Sequence, residues 1–163
     1  MKKVLTIIAL VLMFNTTVAF ASNGLELGSI KPDSNFFFLQ TWSEQIKSLF
    51  LSKEAKINYL IELNERRTAE VQYLSEKKAD KALEKANQRL EKYSDKLDKT
   101  IEQSQKKAEV LEKIIQNKER QQQVLQDVYN KAPEAAQKGL KNAQENSAKQ
   151  LERLKEKYSN QTR

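Results

Sequence analysis

Cysteine and histidine are both missing from this chain of 163 residues. Without cysteine there is no disulfide staple and no thiolate, so stability must come from packing alone. Without histidine the commonest general base near neutral pH is gone, and with cysteine also absent, so are the usual transition-metal ligands. Serine–lysine or paired-carboxylate chemistry stays formally open, but neither has a motif here. Asp95 and Asp98 (DKLD) lack the ligand alternation and turn glycine of a calcium loop, and no glycine-rich phosphate loop occurs. The expectation is a protein that is not an enzyme and carries no cofactor and no metal. Glycine and proline are scarce too, at three and two residues. Such a chain, rich instead in Lys, Glu, Gln, Ala and Leu, has the composition of long helices.

What is present begins with a leader-like N-terminus. Lys2 and Lys3 precede the apolar run Val4–Phe14, and Ala19-Phe20-Ala21 supplies the small residues that a signal peptidase reads. The run falls short of the roughly 20 apolar residues of a bilayer span. Cleavage near Ala21 is expected, with an uncleaved anchor as the alternative, and an extracytoplasmic location, periplasmic or secreted, follows. Removing residues 1–21 leaves 163 − 21 = 142 residues with 29 − 2 = 27 basic and 22 acidic side chains, a net charge of +5. The basic residues are interleaved with glutamates, as in KALEKANQRLEKYSD, rather than gathered in a patch. Nucleic acid is therefore not an expected partner, whereas weak attraction to anionic lipid or an envelope polymer is consistent with the excess.

Residues 22–31 (SNGLELGSIK) show no period and read as an extended lead-in. An all-α domain over 32–160 follows, with helices expected over about 34–51, 53–77, 80–131 and 133–158 and a polar tail at 161–163. Asp33 or Ser34 is suited to cap the first helix, Ser52 the second and Asp80 the third. The third carries a heptad-like stripe from Leu83 through Leu90, Leu97, Ile101, Leu111 and Leu125 to Tyr129, with a stutter at Leu97–Ile101. Unbroken, it would be about 75 Å long at 1.5 Å per residue. Pro133 marks the start of the last helix. The expected architecture is a short aromatic helix followed by three longer ones in elongated antiparallel coiled-coil hairpins.

Three groups of residues stand out. The stretch PDSNFFFLQTW begins an aromatic cluster of Phe36, Phe37, Phe38, Trp42, Ile46 and Phe50; Phe38, Leu39, Trp42, Ile46, Leu49 and Phe50 recur at three- and four-residue spacing and make one broad helical face, with Phe36 and Phe37 beside it near the helix start. It is either a core plug at one end of the bundle or a contact surface, and the core reading is favoured because the only basic residue on the polar side, Lys47, is opposed by Glu44. In ERRTAE, Glu62 with Arg66 and Arg66 with Glu70 have i,i+4 spacing. Together with Arg67 they suggest an ion-pair network, with an anion site on Arg66 and Arg67 as the alternative. Ser104, Lys118 and Gln122 are polar positions within the long stripe; such positions set register or mark where a helix leaves its bundle to offer a groove.

PDSNFFFLQTWSEQIK, INYLIELNERRTAEVQYL and QVLQDVYNKAPEAAQKGLKNAQENS together resemble an uncharacterised family of prokaryotic secreted helical domains, catalogued only as a domain of unknown function. Asn64 and Thr68 stand where apolar residues are more usual in that pattern, which implies a looser helix contact there. The resemblance implies an all-helical fold and an extracytoplasmic location and supplies no activity. The expected role is a non-enzymatic interaction or scaffold module working through its helix faces on a protein partner, either a second copy or an envelope protein. A peripheral binder of anionic membrane or envelope polymer through the aromatic helix is the alternative, and an ATP-independent periplasmic holdase is a third.

Overall fold

The computed structural model describes residues 18–19, 25–103 and 107–161. The expected leader, apart from Val18–Ala19, lies outside the described residues. Within them the fold is all-α: α1 Phe37–Leu49, α2 Lys53–Glu76, α3 Asp80–Glu102, α4 Lys107–Lys131 and α5 Glu134–Gln161. Strand β1, Val18–Ala19, pairs antiparallel with β2, Glu26–Leu27.

Local chemistry explains several boundaries. Ser52 caps α2 as expected, its hydroxyl accepting from the Ala55 amide at 3.3 Å. Asp80 does not cap α3; Ala79 holds that position without a side-chain bond, and Asp80 lies in the first turn, where its charge suits the positive helix end. Neither Asp33 nor Ser34 caps α1. The Ser34 hydroxyl accepts from the Phe36 amide at 3.2 Å, and Asp33 accepts from the Tyr73 hydroxyl at 3.3 Å. The end of α2 has no glycine, yet Lys78 takes a left-handed φ of 54°. The Lys78 amide then bonds the Ser75 carbonyl at 2.9 Å and the Ala79 amide bonds that of Leu74 at 3.0 Å. That is a Schellman closure built on lysine.

The largest departure from expectation is the long helix. Residues 80–131 form two helices, and the chain reverses between them. Leu90 and Leu125 lie in one core cluster, whereas a continuous helix would hold them about 50 Å apart. The stutter at Leu97–Ile101 falls one turn before the break. The reversal lets α4 run back along α2 and α5 along α3, while α2 with α3 and α4 with α5 form the two hairpins. A single 75 Å stripe would bury only one narrow seam; four helices of about 24 residues enclose a core on every side.

That core is double. One cluster includes Val71, Leu74, Leu83, Leu90, Val124, Leu125 and Leu140; the other includes Ile57, Leu60, Leu63, Leu97, Ile101, Leu111, Ile114 and Leu154. Leu25 and Leu27 of the lead-in are also buried in the first cluster, so that segment is part of the fold. Gly28 permits it: a Cβ there would fall 1.8 Å from the Gln40 side chain, whose oxygen accepts from the Ile30 amide at 2.8 Å. The lead-in is thereby pinned to α1.

Candidate functional site

Between the two apolar clusters the bundle carries a polar layer. Asn64 of α2 donates to Asn117 Oδ1 at 2.8 Å and to Gln121 Oε1 at 3.2 Å, and accepts from the Ser94 hydroxyl at 2.8 Å. Thr68 donates back to the Asn64 carbonyl at 2.9 Å. Asn64 and Thr68 are both buried, so the contact expected to be looser is instead closed by hydrogen bonds to α3 and α4. Lys118 belongs to the same layer. It is fully buried and its Nζ donates to Gln150 Oε1 of α5 at 2.6 Å. Burial pushes the ammonium down to about 8, with Asp98 and Asp95 opposing the shift. Lys118 therefore faces inward and offers no groove to a partner. Gln122 is half-buried, and Ser104 lies outside the described residues.

One turn along α2, Arg67 is fully buried, and a buried guanidinium must find carboxylates. Glu70 supplies one from the same helix, and Glu44 of α1 supplies the other. Arg66 donates to Glu44 at 2.8 Å and to Glu62 at 2.9 Å. Arg89 of α3 lies 3.7 Å from Glu70. Arg67 is also held between the rings of Phe37 and Tyr93, at 5.7 and 5.1 Å from their centroids. The expected network is present but differently wired: Arg66 does not pair with Glu70, and Glu44 and Arg89 are the members that sequence spacing missed. Both come from other helices, so no i,i+4 rule could find them. The guanidiniums are occupied by the protein's own carboxylates, which leaves the anion-site alternative without support. Burial works against the Arg67 charge, but Glu70 and Glu44 outweigh it and hold the group above its ordinary range. Glu70 is pushed up by burial, an effect that Arg67 and Arg89 offset only in part.

This cluster decides the orientation of α1. Its inward residues are Phe37, Gln40, Glu44 and Ser48, with Gln40 donating to Glu44 at 3.2 Å. The polar side of the helix is therefore the buried side, and the apolar side faces out. Of the six residues expected to plug the core, only Phe37 does so. Phe36 is 65% exposed, Phe38 62%, Trp42 50% and Phe50 83%, with Leu49 beside them at 75%; Ile46 is half-buried. The core reading is corrected for the four exposed aromatics. Satisfying a buried arginine outweighed burying a face that the bundle, already filled by leucines, had no room to take.

A shallow groove of about 290 Å³ between α3 and α5 is lined by polar groups including Ser94, Asp95, Gln121, Ser147 and Gln150. It holds no pairing of nucleophile and base. Among the described residues no helix is long and apolar enough to cross a membrane.

The family model for a domain of unknown function, DUF5667, matches residues 29–135. The chain belongs to this family. The match begins just before α1 and ends as α5 starts, so the aromatic helix and the ion cluster both lie within it. No curated protein and no solved structure matches the chain. Family membership agrees with the resemblance read from the sequence, and it assigns no activity.

Proposed function

We propose that this DUF5667 protein is a non-enzymatic, extracytoplasmic interaction module that works through the outward face of α1. The observation that carries the reading is the exposure of Phe36, Phe38, Trp42, Leu49 and Phe50 on and beside a single short helix. Scattered exposed apolar residues are ordinary on a soluble protein, but a contiguous patch rimmed by charge marks a contact site. The absence of histidine and cysteine supports the non-enzymatic part, and the leader-like N-terminus supports the location.

The same geometry weighs against two other roles. A holdase would have to offer the apolar stripe of its long helices to clients, and that stripe is enclosed in the two cores. A scaffold that used the apolar seam of α3 or α4 would need that seam free, and in both helices it is turned into the two cores.

Trp42 is the only tryptophan and lies on the face itself. Its emission should be red and readily quenched by acrylamide in the free protein. Blue, shielded emission from a monomer would mean that the face is folded inward, and the reading would fail.

A further inference from the structure

We propose that the partner of the α1 face is the surface of an anionic lipid bilayer. This rests on the reading of α1 as a contact face and adds the occupant. In an ordinary interfacial helix the aromatic side enters the headgroup region and lysines flank it on the polar side. Here the polar side of α1 is bound to the bundle, so flanking charge has to come from neighbouring helices.

It does. Lys47 projects from the flank of α1 with its Nζ 4.6 Å from the Tyr59 ring centroid. Lys96 of α3 reaches the other helices' junction, its Nζ 3.5 Å from the Ser48 hydroxyl of α1. Lys56 of α2 and Lys92 of α3 are close enough that, after burial, their charges are what hold Lys96 below its ordinary range. Lys53 lies three residues past Phe50, and Lys47, Lys53 and Lys92 are exposed. Like charges gathered in this way are unfavourable in the free protein and become favourable against an anionic surface.

The carboxylate that argued against lipid in the sequence, Glu44, is buried and neutralised by Arg66 and Arg67. Glu54 in the first turn of α2 stands against the five lysines named, while Glu91 and Asp95 of α3 accept from Asn146 and Gln150 of α5, both at 3.1 Å. The apolar residues lie along one helix, and they are Phe, Trp and Leu, the types that interfacial helices bury at the headgroup–acyl boundary. A polar polymer would match the lysines but leave the rings in water. A bilayer satisfies both.

The full chain is mixed with vesicles of phosphatidylglycerol and phosphatidylcholine, or of phosphatidylcholine alone, some carrying bromine on their acyl chains. Expected are a blue shift and bromine quenching of Trp42 with the anionic vesicles, weakened by salt. Each lysine near an anionic surface contributes roughly fivefold, so the triple variant K53E/K56E/K92E should bind more than about 100-fold more weakly. F38S/F50S should lose the quenching while keeping its helical circular dichroism, since both rings are already exposed.

Red, quenchable emission that ignores vesicles overturns the lipid proposal and leaves the contact face to a protein. So does blue emission without vesicles from a chain that sediments as a dimer, with a second copy as the occupant. Binding to a soluble anionic polymer with Trp42 unmoved overturns it likewise. Vesicle binding that survives both variants without Trp42 quenching belongs to the apolar N-terminal run and also overturns it. Blue emission from a vesicle-free monomer sinks the contact face itself.

Discussion

α1 and α3 are written in the same grammar and end up in opposite orientations. Each carries apolar residues at three- and four-residue spacing on one side and polar residues on the other. In α3 the stripe Leu83, Ala86, Leu90, Tyr93, Leu97 and Ile101 is buried. In α1 the stripe Phe38, Trp42 and Leu49 is exposed, and Gln40, Glu44 and Ser48 are buried instead. The difference lies in what each helix meets. α3 meets the leucines of α2 and α5; α1 meets Arg67, whose charge lies inside the bundle and needs a second carboxylate. Amphipathicity says that a helix has two faces, and the partner decides which of them is hidden.

Breaking that partner should have the largest effect. Glu44→Ala leaves Arg67 with one carboxylate and should destabilise by about 3–5 kcal/mol in chemical denaturation, the range for removing one member of a buried ion pair. If α1 were held by its rings instead, the loss would be below about 1 kcal/mol. The contrast between the two stripes can be tested directly. Leu97→Ala should cost about 2–5 kcal/mol as a cavity in the core, whereas Phe38→Ser, on the exposed stripe, should stay within about 0.5 kcal/mol. Equal losses would mean that α1 buries its rings after all.

Lys118 sharpens the comparison from the bundle side, because it is a charge buried without the carboxylate contacts that Arg67 has. Its folded value of about 8 lies below the unfolded lysine value of 10.5. Below pH 8 both states bind the proton and burial of the ammonium opposes folding; as pH rises from 8 toward 10.5 only the unfolded state still binds it, so stability rises. The full effect is up to about 3 kcal/mol, since each tenfold change in proton affinity is worth about 1.4 kcal/mol. Lys118→Met should be more stable than the parent at pH 7, with the gap closing by about pH 10. Tyr59 and Tyr93, both raised chiefly by burial, act in the opposite sense above their ordinary value of 10.0 and are common to both proteins. A gap that does not change with pH would place Lys118 in water. The smallest effect is at the α2–α3 turn, where Lys78→Gly relieves a left-handed φ and should raise stability by about 1 kcal/mol, visible as a higher melting temperature.

Much of this was readable along the chain. The cap at Ser52, the end of α2 near Lys77, the helix beginning after Pro133 and the core positions Leu83, Leu90 and Leu97 each follow from neighbours within a few residues. The ion cluster was half readable: ERRTAE announced charges, but Arg66 turned to Glu44 rather than to Glu70. The cap of α3, the end of the stripe at Glu102 and the direction of the Phe-rich face were not readable. Lys78 in a left-handed turn leaves no glycine to notice, and a stripe that continues past a reversal looks the same as one that does not.

By itself the sequence determined that the protein is all-α, that it has no disulfides or histidine chemistry, and where most helices begin and end. Those properties depend on composition and on spacings of three or four residues, which a linear reading contains. Only the tertiary structure decided that residues 80–131 fold back into a four-helix bundle and that α1 turns its aromatic face outward. Both depend on pairings across more than twenty residues, Leu90 with the cluster of Leu125 and Arg67 with Glu44. The energy of a buried charge or a filled core belongs to such pairs, and no single segment carries it.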